Sequence, residues 1–566
     1  MTESSSQSLP QGPANLQQLL QYPRHIVSRL VDDPELNRCL PLPCHSEHGA
    51  IAQGVRHDIR LYTRYSGMGT PEIVARFIEK EFMHRFAISE FITHEEAWDL
   101  KKPARKILLD LHDGVRPQHI FGDMMGMLQP DIAAAMSTLH DGNTSSWSDM
   151  KALLWAGGPA VIKSTSYCYI HKKECAFGTR GKRGAQLTML VAGITCKDFS
   201  TANRHRRGVL GPSGRVLLVF LMEVKANLYD IVLTECVIEQ DLAPVDELLS
   251  PMYDWCTWCW GPEDAGWWTV RPRRFCIFTL KQEFGGRFYF TGTFYMFKDV
   301  FGAQRHPDVD GSMFAASNPQ GVAAEVVTEA GLDVVASQSQ SVSRLDGAAD
   351  VVNWESSLSG SKHARLQLYR FAFLEFHGYQ FEDVCKLAPA EVRALVRCCL
   401  SEQKCDVVCD LESSPSWRAS VGQAGATRWL PTLTASQSWL WMRLGRCITA
   451  DEQLLSQGLC SANIAIPEGV TSTIMTPWAD VWQSLSERER KDIIENAINA
   501  MVLLSLFGFV FRCLAPLGPP MMPCKDVHPE PTPASAQLSS HELPDRDASD
   551  NSQGRQNIPR LDDDLD

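Results

Sequence analysis

One apolar run and the turn that follows it indicate the fold class: Leu187-Thr188-Met189-Leu190-Val191-Ala192-Gly193-Ile194-Thr195-Cys196-Lys197-Asp198-Phe199-Ser200. The run is continuous and bounded by polar residues, which is typical of a parallel β-strand buried on both faces. A cysteine that follows such a strand lies at the carboxyl edge of the sheet, where open α/β sheets bind ligands. Cys196 is therefore a candidate nucleophile, although a lone cysteine is more commonly a small buried apolar residue.

The charge distribution leaves a nucleic-acid partner open. The net charge of −13 argues against one, but the ten acidic and four basic residues between Lys525 and Asp566 account for −6 of it. That tail is rich in Pro and Ser, so residues 516–566 are predicted to be disordered. Basic residues cluster in the sequence around the cysteine strand, where they would either attract phosphates or form a solvated surface: Lys172, Lys173, Arg180, Lys182, Arg183, Arg204, Arg206 and Arg207.

The bulk composition predicts a folded intracellular protein. The 566 residues are 44% hydrophobic and 21% charged, enough for two or three domains. Residues 1–50 read as a polar, partly disordered leader with a short helix near Leu16–Leu30 and without the features of a signal peptide. The longest apolar run, Ala500–Phe511, is shorter than the roughly 20 residues that span a bilayer. Eighteen scattered cysteines favour free thiols in a reducing compartment.

A strand, a glycine loop and a helix open the folded part of the chain. Asp58–Tyr65 alternates like a strand and leads into Ser66-Gly67-Met68-Gly69. Thr70-Pro71-Glu72 then supplies a helix cap, a proline in the first turn and an early acid. This unit begins nucleotide-binding α/β folds, although a Gly-x-Gly loop by itself is weak support.

Two acidic residues extend this pattern. Phe86–Glu90 is predicted to be a short second strand that ends in Glu90, and His119–Asp123 a third that ends in Asp123. In this fold class an acid after a strand commonly holds ribose hydroxyls. The order of glycine loop, Glu90 and Asp123 therefore indicates a ligand that contains adenosine.

A carboxyl group is predicted to lie beside the thiol. Val216–Leu228 reads as a crossover helix and Asp230–Val237 as the fifth strand, so Glu235 ends a strand parallel and adjacent to that of Cys196. Val270-Arg271-Pro272-Arg273-Arg274 then precedes a further apolar strand, Phe275–Leu280. A nucleophile and an acid would thus face one crevice.

In this order the motifs resemble those of the cytosine-C5 DNA methyltransferases. Tyr65-Ser66-Gly67-Met68-Gly69 resembles the aromatic-Ser-Gly-x-Gly motif, Glu90 and Asp123 the two acids that follow it, and Thr195–Ser200 the Pro-Cys-Gln-x-x-Ser motif of the catalytic thiol. Glu235-Cys236-Val237 resembles Glu-Asn-Val, and Arg271-Pro272-Arg273 resembles Arg-x-Arg, with Arg274 as an alternative partner. Pro431-Thr432-Leu433-Thr434, Arg446–Glu452 and Glu495-Asn496-Ala497 resemble the family's last motifs. The departures are Thr195 for proline, Lys197 for glutamine, Cys236 for asparagine and Glu495 for glycine.

The resemblance implies a fold, a reaction and their residues. The fold is α/β, a Rossmann-like sheet of the S-adenosylmethionine-dependent methyltransferases (55–280 and 431–515) with a smaller inserted target-recognition domain at 281–430. S-adenosylmethionine would be held by Tyr65, Ser66, Gly67, Met68, Gly69, Glu90, Asp123 and Asn496. Cys196, Glu235, Arg271 and Arg273 would be catalytic, the substrate would be DNA, and the location nuclear. RNA as substrate and a catalytically silent binding homologue remain open; a nicotinamide oxidoreductase is a distant alternative because Gly-x-Gly-x-x-Gly is incomplete.

Three groups of cysteines are candidates for half of a zinc site each. They are Cys256-Thr257-Trp258-Cys259, Cys168 with His171 and Cys175, and Cys398, Cys399, Cys405 and Cys409. Only the first has ligand-like spacing and it lacks a second pair, so structural thiols and no metal are expected. The tryptophans Trp255, Trp258, Trp260, Trp267 and Trp268 could stack on bases, but a role in a core or an interface is favoured.

Overall fold

The computed structural model describes residues 10–33, 59–86, 90–112, 114–141, 147–179, 186–200, 203, 205–306, 311–314, 358–376, 378–403, 408–411, 430, 439–441, 446–468, 470 and 473–516. Arg204, Cys405, the Pro431-Thr432-Leu433-Thr434 motif and the acidic tail, about which the sequence makes predictions, lie outside these residues.

The centre of the protein is a sheet of seven strands. These are β1 (Ile59–Arg64), β2 (Ile92–Trp98), β3 (His119–Phe121), β6 (Leu187–Gly193), β7 (Ile231–Cys236), β8 (Tyr253–Trp260) and β9 (Arg273–Leu280). Their order in the sheet is β3-β2-β1-β6-β7-β9-β8. The smaller strands are β4 (Thr165–Cys168), β5 (Lys173–Ala176), β10 (Phe288–Phe290), β11 (Val408–Asp410), β12 (Trp439–Trp441), β13 (Arg446–Cys447) and β14 (Leu514–Pro516).

The pairing confirms the predicted Rossmann-like sheet. β3, β2, β1, β6 and β7 are all parallel to their neighbours, and β9 and β8 add an antiparallel edge. From β1 the chain moves outward through β2 to β3, and then returns past β1 to β6 and β7. The order of strands therefore reverses between β1 and β6, which is where open α/β sheets form their ligand crevice.

Helices cover both faces of the sheet. They are α1 (Leu16–Asp32), α2 (Thr70–Phe86), α3 (Lys102–Asp110), α4 (Pro130–Asp141), α5 (Trp147–Gly157), α6 (Pro212–Asn227), α7 (Ala243–Leu249), α8 (Phe294–Phe301), α9 (Gly360–Phe376), α10 (Phe381–Val384), α11 (Pro389–Gln403), α12 (Ala450–Ser456), α13 (Ala479–Ser484), α14 (Glu487–Glu495) and α15 (Ala500–Cys513). Alternate side chains of β6 enter two separate cores: Met189 and Val191 pack with α2 and α15, whereas Leu190 and Ala192 pack with α6. This double burial explains why the strand is apolar throughout.

The second strand does not lie where the sequence predicts it. Residues up to Phe86 continue α2, and β2 begins only at Ile92. The prediction that Glu90 ends a strand is wrong: Glu90 precedes β2, at the opposite edge of the sheet from the glycine loop, and its exposed carboxylate binds Arg76 at 2.7 Å. β2 was missed because His94, Glu95 and Glu96 interrupt its apolar pattern although all three are buried.

A buried ion network ties β1 and β2 to α6. Arg64 Nε lies 2.9 Å from Glu223 Oε2, and its Nη2 donates to Glu96 Oε2 at 3.1 Å. The Tyr229 hydroxyl donates to Glu223 Oε1 at 2.8 Å. Arg64 and Glu223 are 1% and 0% exposed. Removal of one charge would therefore leave its partners buried and uncompensated.

Replacement of Arg64 by methionine is expected to lower the free energy of unfolding by about 3–5 kcal/mol, because Glu223 and Glu96 would lose the charge that compensates their burial. Urea denaturation measures the loss. Arg85→Met is the control: the Arg85 side chain is 23% exposed and lies 3.5 Å from Asp32, which is 68% exposed, so loss of this solvent-accessible pair should cost less than about 1 kcal/mol. Equal effects of the two substitutions would contradict this account.

The leader contributes a helix to the core. The helix predicted near Leu16–Leu30 is present as α1, capped by Asn15, whose side chain accepts from Gln18 N at 2.9 Å. A Cβ on Gly508 of α15 would lie 2.5 Å from Leu30 Cδ2, so the glycine lets the two helices approach closely. The Tyr22 hydroxyl also donates to the carbonyl of Ala265 at 2.5 Å.

Residues between Leu358 and Cys447 form a second, smaller hydrophobic core. Leu366 of α9, Val392 of α11 and Leu440 of β12 belong to it, whereas Trp439 and Trp441 on the other face of β12 join the main core. Phe288, Phe297, Val300 and Phe301 follow the predicted boundary at 281 and still pack with the central sheet, and the boundary itself stays a prediction. Within the described residues, the separate core begins near Leu358.

The most apolar helices lie inside the protein. The region Glu487–Cys513 contains an 18-residue window with a mean hydropathy of 1.8, long and apolar enough to cross a membrane, but 89% of that window is buried within the protein. Core helices of folded domains pass the same test, so the region is weak support for a membrane span. α15 packs against α2.

Candidate functional site

The glycine loop after β1 bends the backbone in a way that requires its glycines. Gly67 and Gly69 have φ values of 57° and 80°, in the left-handed region that residues with a Cβ adopt at a cost. Gly69 N donates to Ser66 O at 2.9 Å, and Ser66 N to Trp98 O at 3.2 Å. The loop therefore turns tightly over the end of β2 before α2 begins at Thr70.

Asp99, which the sequence analysis missed, is the acid at the end of β2. Its Oδ2 accepts from Gly67 N at 2.8 Å and its Oδ1 from Lys101 N at 2.7 Å. Burial raises the pKa of Asp99, and the two backbone hydrogen bonds oppose that rise. Asp99 thus occupies the position predicted for Glu90. The signal in the sequence was the pair Trp98-Asp99 two residues before Lys102-Pro103, where a helix begins.

Two buried polar side chains stand at the start of α2. Thr63 donates to Glu72, whose pKa is raised to about 7, mainly by burial. Thr70 Oγ1 and Glu72 Oε2 have no hydrogen-bond partner within the part of the chain that the structure describes. Buried polar atoms are rarely left unpaired in folded proteins. Their position beside Gly69 therefore fits the polar end of a ligand held in the glycine loop.

Asp123 follows β3, as predicted. It is exposed, and its side chain accepts from Met125 N at 2.9 Å to cap the short 3₁₀ helix Met124–Met127. Tyr65 lies across the crevice at φ 55°, and its hydroxyl donates to Val216 O at 3.2 Å. Tyr65 to Gly69, Asp99 and Asp123 thus follow three consecutive strands at one edge of the sheet.

The Cys196 turn is held by backbone and carboxylate hydrogen bonds. Phe199 N and Ser200 N donate to Cys196 O at 2.9 and 2.8 Å. The buried carboxylate of Asp198 accepts from Ser213 N at 2.7 Å in the first turn of α6. An acid is favoured there because the helix dipole is positive at its N-terminus. Asp198 therefore fixes the turn that carries the thiol.

Cys196 and Glu235 lie at adjacent carboxyl ends, as predicted. Gly193 pairs with Glu235 across β6 and β7, and Ile194 N donates to Glu235 O at 2.9 Å. Glu235 Oε1 lies 2.9 Å from Arg273 Nε, in a pair whose side chains are 11% and 15% exposed. Burial raises the pKa of the Cys196 thiol and Glu235 raises it further, whereas Arg273 and Arg271 lower it. The free thiol is thus protonated at neutral pH.

The positive charge near the thiol comes from the second arginine motif. Lys197, Arg206 and Arg207, which lie near Cys196 in the sequence, are exposed. Arg273 and Arg271 act on the thiol instead. This difference arises because β9 folds back antiparallel beside β7 and brings its first residues to the carboxyl end of that strand.

Arg271 joins the site to the turn between α14 and α15. It is 4% exposed, and its Nη2 donates to Glu495 O at 2.7 Å and to Ala497 O at 3.0 Å. Its Nε and Nη1 have no hydrogen-bond partner among the residues that the structure describes. Burial lowers the pKa of Arg271 to about 10, with Arg273 as the second cause, so the guanidinium stays charged at neutral pH.

Asn496 lies in that turn rather than at the start of the last helix. It follows α14, and its carbonyl oxygen would lie 3.7 Å from a Cβ on Gly67. The cap of α15 is Asn499, whose side chain accepts from Met501 N at 3.0 Å and Val502 N at 3.2 Å. The turn therefore forms a wall of the crevice above the glycine loop.

Two further groups proved to be structural. Cys236 is buried and hydrogen-bonded to the thiol of Cys276, which raises the pKa of Cys236. Trp258 and Trp260 pack against Phe297 with ring centroids 5.2 and 5.0 Å apart. The crowded tryptophans of this strand thus contribute to the core, as favoured above.

Comparisons with known proteins give matches only between structures. No protein family and no curated protein matches the chain in sequence. A candidate DNA modification methyltransferase encoded within an E. coli prophage is 12% identical with a TM-score of 0.36, and the match covers 80% of this chain and 99% of that one. S. pombe Dnmt2 methyltransferase is 12% identical with a TM-score of 0.34, and the match covers 80% of this chain and 98% of that one. The Entamoeba histolytica methyltransferase EhMeth is 10% identical with a TM-score of 0.34, and the match covers 81% of this chain and 98% of that one. Similarity this low says nothing about the reaction, so the function must be argued from the chain's own residues.

Proposed function

We propose that the protein transfers a methyl group from S-adenosylmethionine to C5 of cytosine in DNA through a covalent bond to Cys196. The observation that carries this proposal is the arrangement of Cys196, Glu235 and Arg273 at neighbouring strand ends, beside the crevice that the glycine loop borders. The order of the glycine loop, Asp123, Cys196, Glu235 and Arg271-Pro272-Arg273 along the chain, which resembles the order of the family's motifs, supports it. A DNA substrate would place the protein in the nucleus.

The crevice fits S-adenosylmethionine in the chemistry of its donors. Asp99, after β2, offers a carboxylate to ribose hydroxyls, and the exposed side chain of Leu100 offers an apolar surface to an adenine ring. The unpaired oxygens of Thr70 and Glu72 stand beside Gly69, where an amino-acid group would end. When bound, this cofactor supplies an electrophilic methyl group on a sulfonium.

Cys196 would activate the base. Its thiolate forms a bond to C6 of cytosine, and the electron pair of the C5–C6 double bond moves to C5, which becomes nucleophilic. After methylation a general base removes the proton from C5 of the cytosine, the C5–C6 double bond re-forms and the thiolate of Cys196 leaves. Because the thiol of the free protein has a raised pKa, attack requires the substrate and the two arginines to favour the thiolate.

Glu235 and Arg273 would hold the cytosine. A carboxyl group that shares a proton with N3 withdraws electrons from the ring and makes C6 electrophilic, which is general-acid catalysis. Arg273 is fixed against Glu235 and can donate its remaining hydrogens to the cytosine O2. In duplex DNA the base must first leave the stack, at a cost of a few kcal/mol.

Asp99→Asn is expected to weaken binding of S-adenosylmethionine by about tenfold to a hundredfold. The substitution removes the charge of the carboxylate that would accept from the ribose hydroxyls and that accepts from Gly67 N. A hydrogen bond to a charged group contributes up to about 1.5–3 kcal/mol. Titration calorimetry measures the affinity. Glu90→Gln is the matched control, because Glu90 lies at the far edge of the sheet. A loss of affinity in Glu90→Gln with none in Asp99→Asn would reverse the assignment.

Methyl transfer itself tests the function. The full chain is incubated with labelled S-adenosylmethionine and, separately, with DNA and RNA. Label in DNA supports the proposal, and label only in RNA assigns the same chemistry to the other nucleic acid. The raised pKa of Cys196 favours one alternative, a homologue that binds the cofactor without turnover. Thermal stabilisation by S-adenosylmethionine with no label in either substrate would establish that alternative.

A further inference from the structure

Two histidines and two cysteines meet at the β3 edge of the sheet, away from the thiol site. They are His119 on β3, Cys168 on β4, His171 in the following turn and Cys175 on β5. One ligand atom of each lies within 4.8 Å of those of all the others. Among the described residues this is the only such group of three or more potential ligands.

The hairpin of β4 and β5 builds the cluster. Ser166 pairs with Cys175 and Cys168 pairs with Lys173, so the two cysteines lie on one face of the ribbon. Lys172 adopts a φ of 53° in the turn, and its N–H donates to Cys168 O at 2.8 Å. This tight turn folds His171 back toward the two sulfurs.

A backbone hydrogen bond brings the fourth residue. Tyr169 N donates to Ile120 O at 2.8 Å, which attaches the hairpin to β3 next to His119. The ring of His119 lies 4.9 Å from that of His171 and stacks on Phe121 at 5.8 Å. The cluster therefore joins residues that are far apart in the sequence, which is why the cysteines alone gave no complete site.

The distances suit tetrahedral zinc. The Sγ atoms of Cys168 and Cys175 each lie 3.5 Å from His171 Nδ1. With Zn–S of about 2.3 Å and Zn–N of about 2.0–2.1 Å, a tetrahedral site places sulfur and nitrogen about 3.5 Å apart. Two thiolates and two neutral imidazoles also balance the charge of the ion. Soft sulfur ligands exclude Mg²⁺ and Ca²⁺, which take oxygen ligands.

We propose that His119, Cys168, His171 and Cys175 bind one structural Zn²⁺ that fastens the β4–β5 hairpin to the edge of the sheet. Four protein ligands close the coordination shell, so the ion has no open position for catalysis. The site does not depend on the reaction proposed above. The hairpin that the ion would fasten also carries Tyr169, which packs against Gly122, the residue before Asp123. The Tyr169 hydroxyl would lie 3.4 Å from a Cβ on Gly122.

The cysteine pair on β8, Cys256 and Cys259, provides the control. Cys256 and Cys259 are three residues apart on β8, so their side chains point to opposite faces of the strand and cannot share one ion. Cys256 is partly buried and Cys259 is exposed. Their double serine variant removes the Cys-x-x-Cys motif that looked most ligand-like in the sequence.

The metal content of the purified full chain tests the site. After expression with zinc and dialysis under reducing conditions, elemental analysis should find about one zinc per chain. Cys168→Ser/Cys175→Ser should lose it, and Cys256→Ser/Cys259→Ser should keep it. Wild-type protein without zinc, or zinc lost only from the Cys256/Cys259 variant, would overturn the proposal.

Cobalt exchange keeps the test valid if the double variant does not fold. Wild-type protein exchanged with Co²⁺ should show thiolate-to-cobalt charge-transfer absorption and tetrahedral d–d bands. His171→Ala, a change at an exposed turn residue, should weaken Co²⁺ binding at least about tenfold, because loss of a partner that only orients a ligand already costs that much. Co²⁺ bound without a thiolate band, or with unchanged affinity in His171→Ala, would contradict the site.

Discussion

Cys196→Ser is expected to abolish covalent capture of DNA that contains 5-fluorocytosine and to reduce methyl transfer by more than about 1,000-fold. The hydroxyl cannot form the thiolate that attacks C6, and fluorine at C5 prevents the proton loss that releases the enzyme. Capture is read as a band that survives denaturing electrophoresis, and methyl transfer as label in DNA.

Two controls separate chemistry from folding in this experiment. Cys259→Ser changes an exposed thiol on β8 and should retain capture and methyl transfer. Cys196→Ser should retain the wild-type affinity for S-adenosylmethionine and the wild-type thermal midpoint, because serine preserves the turn held by Asp198. Capture that persists in Cys196→Ser would remove the thiol from the mechanism.

The pH dependence of the wild-type rate tests the role of the Cys196 thiol in a second way. Burial and Glu235 raise the pKa of the Cys196 thiol, so the thiolate fraction of the free protein increases as the pH rises toward that pKa. The apparent second-order rate constant should increase with pH across the neutral and mildly alkaline range. A rate that falls over this range would show that thiol ionisation does not control attack.

Glu235→Gln is expected to lower methyl transfer by about 10²–10⁴-fold while leaving the affinity for S-adenosylmethionine unchanged. Glutamine can accept hydrogen bonds from the cytosine amino group, but it cannot share a proton with N3, so C6 stays a poor electrophile. Single-turnover kinetics with saturating DNA measures the chemical step, and calorimetry measures cofactor binding.

The ion pair with Arg273 requires its own control, because loss of Glu235 also leaves a guanidinium only 15% exposed. In Glu235→Gln/Arg273→Gln that unpaired charge is gone. If Glu235 acts on the base, the double variant should be no faster than Glu235→Gln. Recovery of activity in the double variant would mean that Glu235 serves only to neutralise Arg273.

The parts of the site that the sequence predicts are those whose strands have a simple apolar pattern. β6 is buried on both faces and reads as a continuous apolar run, so Cys196 at its end was found, and the same holds for β7 and Glu235. β2 carries His94, Glu95 and Glu96 inside the fold. Glu96 pairs with Arg64 and Glu95 with Arg60 on the neighbouring strand, and hydropathy cannot anticipate such compensation.

Contacts between distant segments explain the other misses. Arg271 is held by carbonyls of Glu495 and Ala497, over 200 residues downstream, so its role in fixing the Asn496 turn has no local signal. The histidine and cysteine cluster likewise needs β3 beside the β4–β5 hairpin before His119 can be counted with it. Spacing rules find metal sites whose ligands are close in sequence, and here one ligand is not.

The most direct test of the central claim is the trapping of wild-type protein on nucleic acid that contains 5-fluorocytosine, with and without S-adenosylmethionine. We expect a denaturation-resistant complex that requires the cofactor, and a tryptic peptide in which Cys196 is joined to the modified base. A protein that binds S-adenosylmethionine but forms no such complex with DNA or RNA, or forms it through another residue, would show that Cys196 does not attack cytosine.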